Sequence, residues 1–126
     1  MKAFRSILMI AFALFCAPHA KTATVKVTSG TIHHGIASWY CIKCNGGTHT
    51  ASGEKLEDYA MTAAHKTLPL GSKVRVTNKS NGRSVVVRIT DRGPCIKGRV
   101  IDVTKGVAAK LGFIEDGIVP VVVEVL

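Results

Sequence analysis

Three residues in this 126-residue chain have the types and settings that acid–base chemistry needs: Glu54, His65 and Asp91. Asp91 follows the apolar run Val85 to Thr90 and precedes Arg92-Gly93-Pro94. Partial burial there would raise its pKa and keep a proton on the carboxyl, which is what a general acid requires. Arg92 pulls the other way. Turned toward Asp91 it would favour the ionised form and make the aspartate structural, and a turn-capping Asp91 is a second bland reading. Glu54 lies in the small-residue loop Thr50-Ala51-Ser52-Gly53, where it either contacts substrate, assists Asp91 as a second carboxylate, or is a solvated loop acid. His65 follows Ala63-Ala64 and either orients a carboxylate or a hydroxyl or packs as a structural imidazole. His33 and His34 could form a metal site only if the fold gathered His49 and His65 beside them in ligand geometry. The pair reads instead as solvated, and no metal or cofactor is expected.

Short strands must position these groups. The segments GIASWY (35–40), KVRVTN (73–78), SVVVRIT (84–90), GRVIDV (98–103) and IVPVVVEVL (118–126) are rich in β-branched residues and bounded by Gly, Pro or Asn. Val74 and Val76 alternate with Arg75 and Thr77, Asn81-Gly82 supplies left-handed turn residues, and Val85, Val87 and Ile89 continue the period of two. This predicts a hairpin. A helix is predicted over Lys105 to Lys110, with Thr104 as N-cap and Gly112 as its stop, and a shorter helical turn over Asp58 to Ala64. Many short strands favour closure into a small barrel, which removes exposed edges.

The first residues, MKAFRSILMIAFALFCAPHA, place Lys2 and Arg5 before an apolar run and small residues near Ala17 and Ala20, the order of a signal peptide. Cleavage is expected between residues 17 and 23. The residue before Cys16 is Phe15 rather than a small one, so removal is expected in preference to lipidation. Residues 21–34 read as an exposed lead-in and 35–126 as the folded domain. Without the first twenty residues, 15 Lys and Arg face 8 Asp and Glu, a formal +7, which favours anionic polymers. The basic residues are scattered with little aromatic interleaving and no nucleic-acid motif, so nucleic acid is not the expected partner.

GIASWY (35–40), TASGE (50–54), MTAAH (61–65), LPLG (68–71), VRITDRGP (87–94) and GRVIDVTKGVAAKLG (98–112) occur together in one order. In these motifs the chain resembles the rare-lipoprotein-A family over about residues 35–126. The resemblance implies an all-β, six-stranded double-psi β-barrel with one or two short helices, a fold shared with expansins and barwin-like proteins. It also implies lytic cleavage of peptidoglycan glycan strands, in which the sugar's own 6-hydroxyl attacks the anomeric carbon. Family positions in the groove map onto Glu54, His65 and Asp91, with Asp91 as the expected general acid. Trp39 and Tyr40 alternate on one strand, so one ring can face outward to stack on a sugar, and Arg92 is a further substrate contact. Asp102 and Asn78 also match family positions and are read as structural.

The chain departs from the family at its cysteines. Cys41 replaces a glycine, and Cys44 and Cys95 stand where aromatic residues are usual. An export compartment permits a Cys44–Cys95 disulfide joining two groove loops, with Cys41 left over. A Cys41–Cys44 redox pair lacks the βαβ context such motifs need. Besides an exported, monomeric, periplasmic or secreted lytic transglycosylase, the sequence admits a non-catalytic, expansin-like wall-binding module.

Overall fold

The computed structural model describes residues 28–41 and 49–126. The signal-like segment with Cys16, and Cys44, lie outside the described residues. Among the described residues six strands form, β1 (Ile32–Tyr40), β2 (Thr62–Ala64), β3 (Lys73–Asn78), β4 (Ser84–Asp91), β5 (Arg99–Thr104) and β6 (Ile118–Val125), with one helix, α1 (Lys105–Leu111), between the last two. No described helix is long and apolar enough to cross a membrane.

The strands close into a barrel in the order β1-β5-β2-β4-β3-β6. β1 runs parallel to β5 and β2 parallel to β4, while the other pairs are antiparallel. Alternation decides which side chains fill the interior: Val74, Val76, Val87, Ile89, Ile101, Val103, Val121 and Val123 are buried together. Closure gives each described strand a neighbour on both sides, which shortens the edges open to another chain. The predicted hairpin forms with Val74 opposite Val87 and Val76 opposite Val85, and Gly82 takes φ 76° in its turn.

Helix α1 starts where expected. The Thr104 hydroxyl accepts from the Val107 N–H, and Gly112 ends the helix at φ 81°, its N–H returning to the Ala108 and Ala109 carbonyls. Thr104 also donates to the Ala60 carbonyl at 2.7 Å, which ties the helix start to the segment leading into β2. Gly106 is needed for that docking: a Cβ there would lie 2.7 Å from the Tyr59 Cα. Gly106→Ala is therefore expected to destabilise by about 2 kcal/mol through overpacking, although alanine is the better helix former. Thermal unfolding checks this, and an unchanged or raised Tm would refute the packing argument.

Two expectations are corrected. β1 begins at Ile32, so His33 and His34 belong to the barrel, pairing with Val123 and Val122, and are not an exposed lead-in. Gly30 and Thr31 already exchange backbone hydrogen bonds with Val125. The stretch Asp58 to Ala64 holds turns and then strand β2, not a helical turn. Three residues are too few to display a period of two; β2 exists because β4 and β5 supply ladder partners on either side.

Candidate active site

Strand β2 sets the site. Ala64 pairs with Asp102 of β5 on one side and with Asp91 of β4 on the other. Residues in direct register project to the same face of a sheet, and two strand spacings separate the aspartate backbones by about 10 Å. The alanine between them contributes only a methyl to the floor. Ser38 of β1 lies opposite Asp102 and donates its hydroxyl to Asp102 Oδ1 at 3.1 Å. Asp102, read from sequence as structural, thus shares a face of the sheet with Asp91. Burial pushes its carboxyl up to about 6, and the charge of Asp91 adds to this, while the Ser38 hydroxyl and Arg99 oppose it. The available signal was an acid at an outward position of the apolar strand VIDV.

Tyr40 completes this face. Its ring is buried, and its hydroxyl has no hydrogen-bond partner of normal geometry among the described residues, although Thr62 lies near enough to affect it. Burial, then the charges of Asp91 and Asp102, raise the phenol, so it stays protonated and can donate. Trp39 points the other way, packs against the core and donates its indole N–H to the Ile114 carbonyl at 3.2 Å. Of the two rings, only Tyr40 stands with the acids.

Asp91 is held by backbone. Its Oδ1 accepts from the Ala51 N–H at 3.0 Å and from the Arg92 N–H at 2.8 Å, leaving Oδ2 for other contacts. The Ser52 N–H donates to the Thr90 carbonyl at 3.0 Å, so the TASGE loop is clamped to the end of β4. The Arg92 guanidinium donates to the carbonyls of His65 and Leu68, at 3.1 and 2.6 Å, instead of forming a charge pair with Asp91. It braces the loop after β2.

Among the described residues neither the Glu54 carboxyl nor the His65 ring hydrogen-bonds the Asp91 carboxyl. Glu54 takes both arms of Arg88, the longer contact being 2.7 Å, and hydrogen bonding from Arg88 holds its carboxyl below the usual range. An ionised, paired carboxylate is a poor proton donor near neutral pH. His65 reaches Asp91 only through backbone, its N–H donating to the Asp91 carbonyl at 3.1 Å. Its Nδ1 accepts from the N–H groups of Thr67 and Leu68, both at 3.1 Å. Desolvation, then nearby cationic groups, drive the ring down to about 4, so it is neutral near pH 7 with its proton on Nε2.

Cys41 and Cys95 are both disulfide-bonded. The expectation that Cys41 is left over is corrected. The partner expected for Cys95, Cys44, lies outside the described residues.

A closed six-stranded barrel of mixed strand direction, with two aspartates in register on either side of Ala64, defines a small β-barrel protein. The family model described as "Lytic transglycolase" matches residues 32–123, and the chain belongs to this family. It is 50% identical over 106 residues to the endolytic peptidoglycan transglycosylase RlpA of Pasteurella multocida, covering 84% of this chain and 36% of the relative. With the enzyme of the same name from Pseudomonas aeruginosa strain UCBPP-PA14 the identity is 57% over 90 residues, 71% of this chain and 26% of the relative. The chain thus spans about a third or less of these relatives. Among solved structures, Streptomyces papain inhibitor matches with TM-score 0.64 at 22% identity, over 80% of this chain and 99% of that one. An expansin of Clavibacter michiganensis matches at 0.59 and 21% identity, over 76% and 50%. These likenesses show the double-psi barrel fold, which carries more than one activity.

Proposed function

We propose that the protein is a peptidoglycan lytic transglycosylase in which Asp91 and Asp102 act as a pair across Ala64. The observation that supports this reading is the register, in which Ala64 pairs with both aspartates, and burial of Asp102, which pushes its carboxyl up to about 6, is consistent with it. Asp102 delivers that proton to the glycosidic oxygen as the bond to the anomeric carbon breaks. Asp91, oriented by two N–H donors, faces the oxocarbenium-like centre. The muramoyl 6-hydroxyl then closes on the anomeric carbon and returns its proton to Asp102, leaving a 1,6-anhydro end with no water consumed. The Tyr40 hydroxyl is a donor available to a sugar oxygen, and Tyr59, 71% exposed just before β2, offers a ring for stacking. Support also comes from the names of the relatives and from the family model. A wall-polymer substrate requires export, which agrees with the oxidised state of Cys41 and Cys95.

The test is incubation of the protein with purified glycan strands followed by mass spectrometry of the ends. Anhydro-muramoyl ends are expected. Hydrated reducing ends would make it a hydrolase, and retained binding without products would favour the wall-binding alternative.

A further inference from the structure

A polar cavity not used in the proposed reaction lies beside β1, β5 and the segment after β2. It has a volume of about 290 Å³ and is lined by His33, His65, Lys66, Thr67, Gly98 and Arg99, among others. His65 is 4% exposed, and its Nε2, the atom that carries the ring proton, is buried without a partner among the described residues. The Nε2 of His33 is likewise buried and unpartnered, and the two rings meet edge to face with centroids 5.4 Å apart. A buried donor with no acceptor is uncommon and calls for a ligand or a water. Lys66 and Arg99 add two cations, neither of which takes part in an ion pair among the described residues, and no lining residue is acidic. Although three histidines, His33, His34 and His65, line it, no group of three or more His, Cys, Asp or Glu among the described residues is arranged to hold a metal ion, and donors with positive charge and no carboxylate make a good anion site.

We propose that this cavity binds a carboxylate of the wall polymer, with His65 Nε2–H as the central donor and Lys66 and Arg99 as the flanking charges. The choice of the wall polymer rests on the function proposed above. Two carboxylates of that polymer have the right chemistry, the lactyl group on muramic acid and the end of a stem peptide. The cavity is well placed for a group adjoining the reacting bond. Arg99 lies three residues before Asp102 on β5, about 10 Å along the strand, and the His65 backbone bonds the Asp91 carbonyl. A carboxylate held there would anchor the sugar chain beside the acid pair, which gives His65 a binding role in place of a proton-transfer one.

The test is NMR of the full chain carrying 15N-histidine, titrated with N-acetylmuramic acid, D-alanyl-D-alanine, neutral N-acetylglucosamine, inorganic phosphate and Zn²⁺. Saturable shifts of the His65 Nε2 resonance are expected with the carboxylates and not with N-acetylglucosamine, and the tighter carboxylate identifies its source. Lys66→Ala, an exposed substitution that should leave the fold intact, is expected to weaken this binding about fivefold. No response to either carboxylate, an equal response to N-acetylglucosamine, tighter binding of phosphate, or saturation by Zn²⁺ alone would each overturn the assignment. Because no bond is cut in this experiment, carboxylate binding by a chain that releases no anhydro ends would sink the proposed function and leave the site standing. The reverse pattern would do the opposite.

Discussion

Asp102→Asn is expected to reduce the release of anhydro ends about 10³-fold, the scale of a lost general acid, while leaving the protein more stable at neutral pH. The two effects share one cause. Burial raises the Asp102 carboxyl from 3.8 to about 6, so above pH 6 the fold carries a charge it would bind more easily as a neutral acid. A folded-state pKa raised above the unfolded value gives stability that is full below about pH 4 and lost as pH rises through about 6. Two units correspond to on the order of 2–3 kcal/mol, and asparagine, which has no charge to desolvate, recovers much of it at pH 7. Asn can still accept from Ser38, so the groove keeps its shape. Denaturant unfolding at pH 4.5 and 7.5 separates the cases. A variant that is active, or is less stable than wild type at pH 7.5, would contradict the assignment.

His65 tilts the same window in the opposite sense. Its ring falls from 6.5 to about 4 on folding, so it gives stability present above pH 6.5 and lost as pH drops toward 4. In the wild type the two slopes oppose each other between about pH 4 and 6. In Asp102→Asn the histidine slope is no longer opposed by the aspartate, and acid destabilisation should become visible. The acid role also predicts that wild-type kcat falls with rising pH above about 6, a limb absent from the residual activity of the variant.

Replacing Asp91 separates its two tasks. Asp91→Asn preserves an Oδ1 acceptor for the Ala51 and Arg92 N–H groups, so stability should hold while turnover drops at least 10²-fold. Asp91→Ala removes that acceptor as well. It frees the TASGE loop from the end of β4 and is expected to cost about 2 kcal/mol in addition to the activity. Equal stability of the two variants would show that the loop is held by other contacts, such as the Ser52 N–H on Thr90. Near-wild-type turnover in Asp91→Asn would remove Asp91 from the mechanism.

Local patterns in the chain were enough to place most of the barrel. The hairpin of β3 and β4 follows from alternating valines around Asn81-Gly82, and α1 from Thr104 and Gly112, because caps, turns and period-two faces are near-neighbour effects. The motifs around Asp91, Glu54 and His65 marked, through resemblance, the family. Tertiary structure alone decided which of these residues stand together. Asp102 stands beside Asp91 because β2 threads between β5 and β4, a pairing of residues far apart in sequence that no local period encodes. The same non-local packing turned Glu54 to Arg88, Arg92 to two backbone carbonyls, and His65 to a cavity shared with His33. A side chain's charge state and its partners depend on which strands close over it, and that is settled only when the barrel closes.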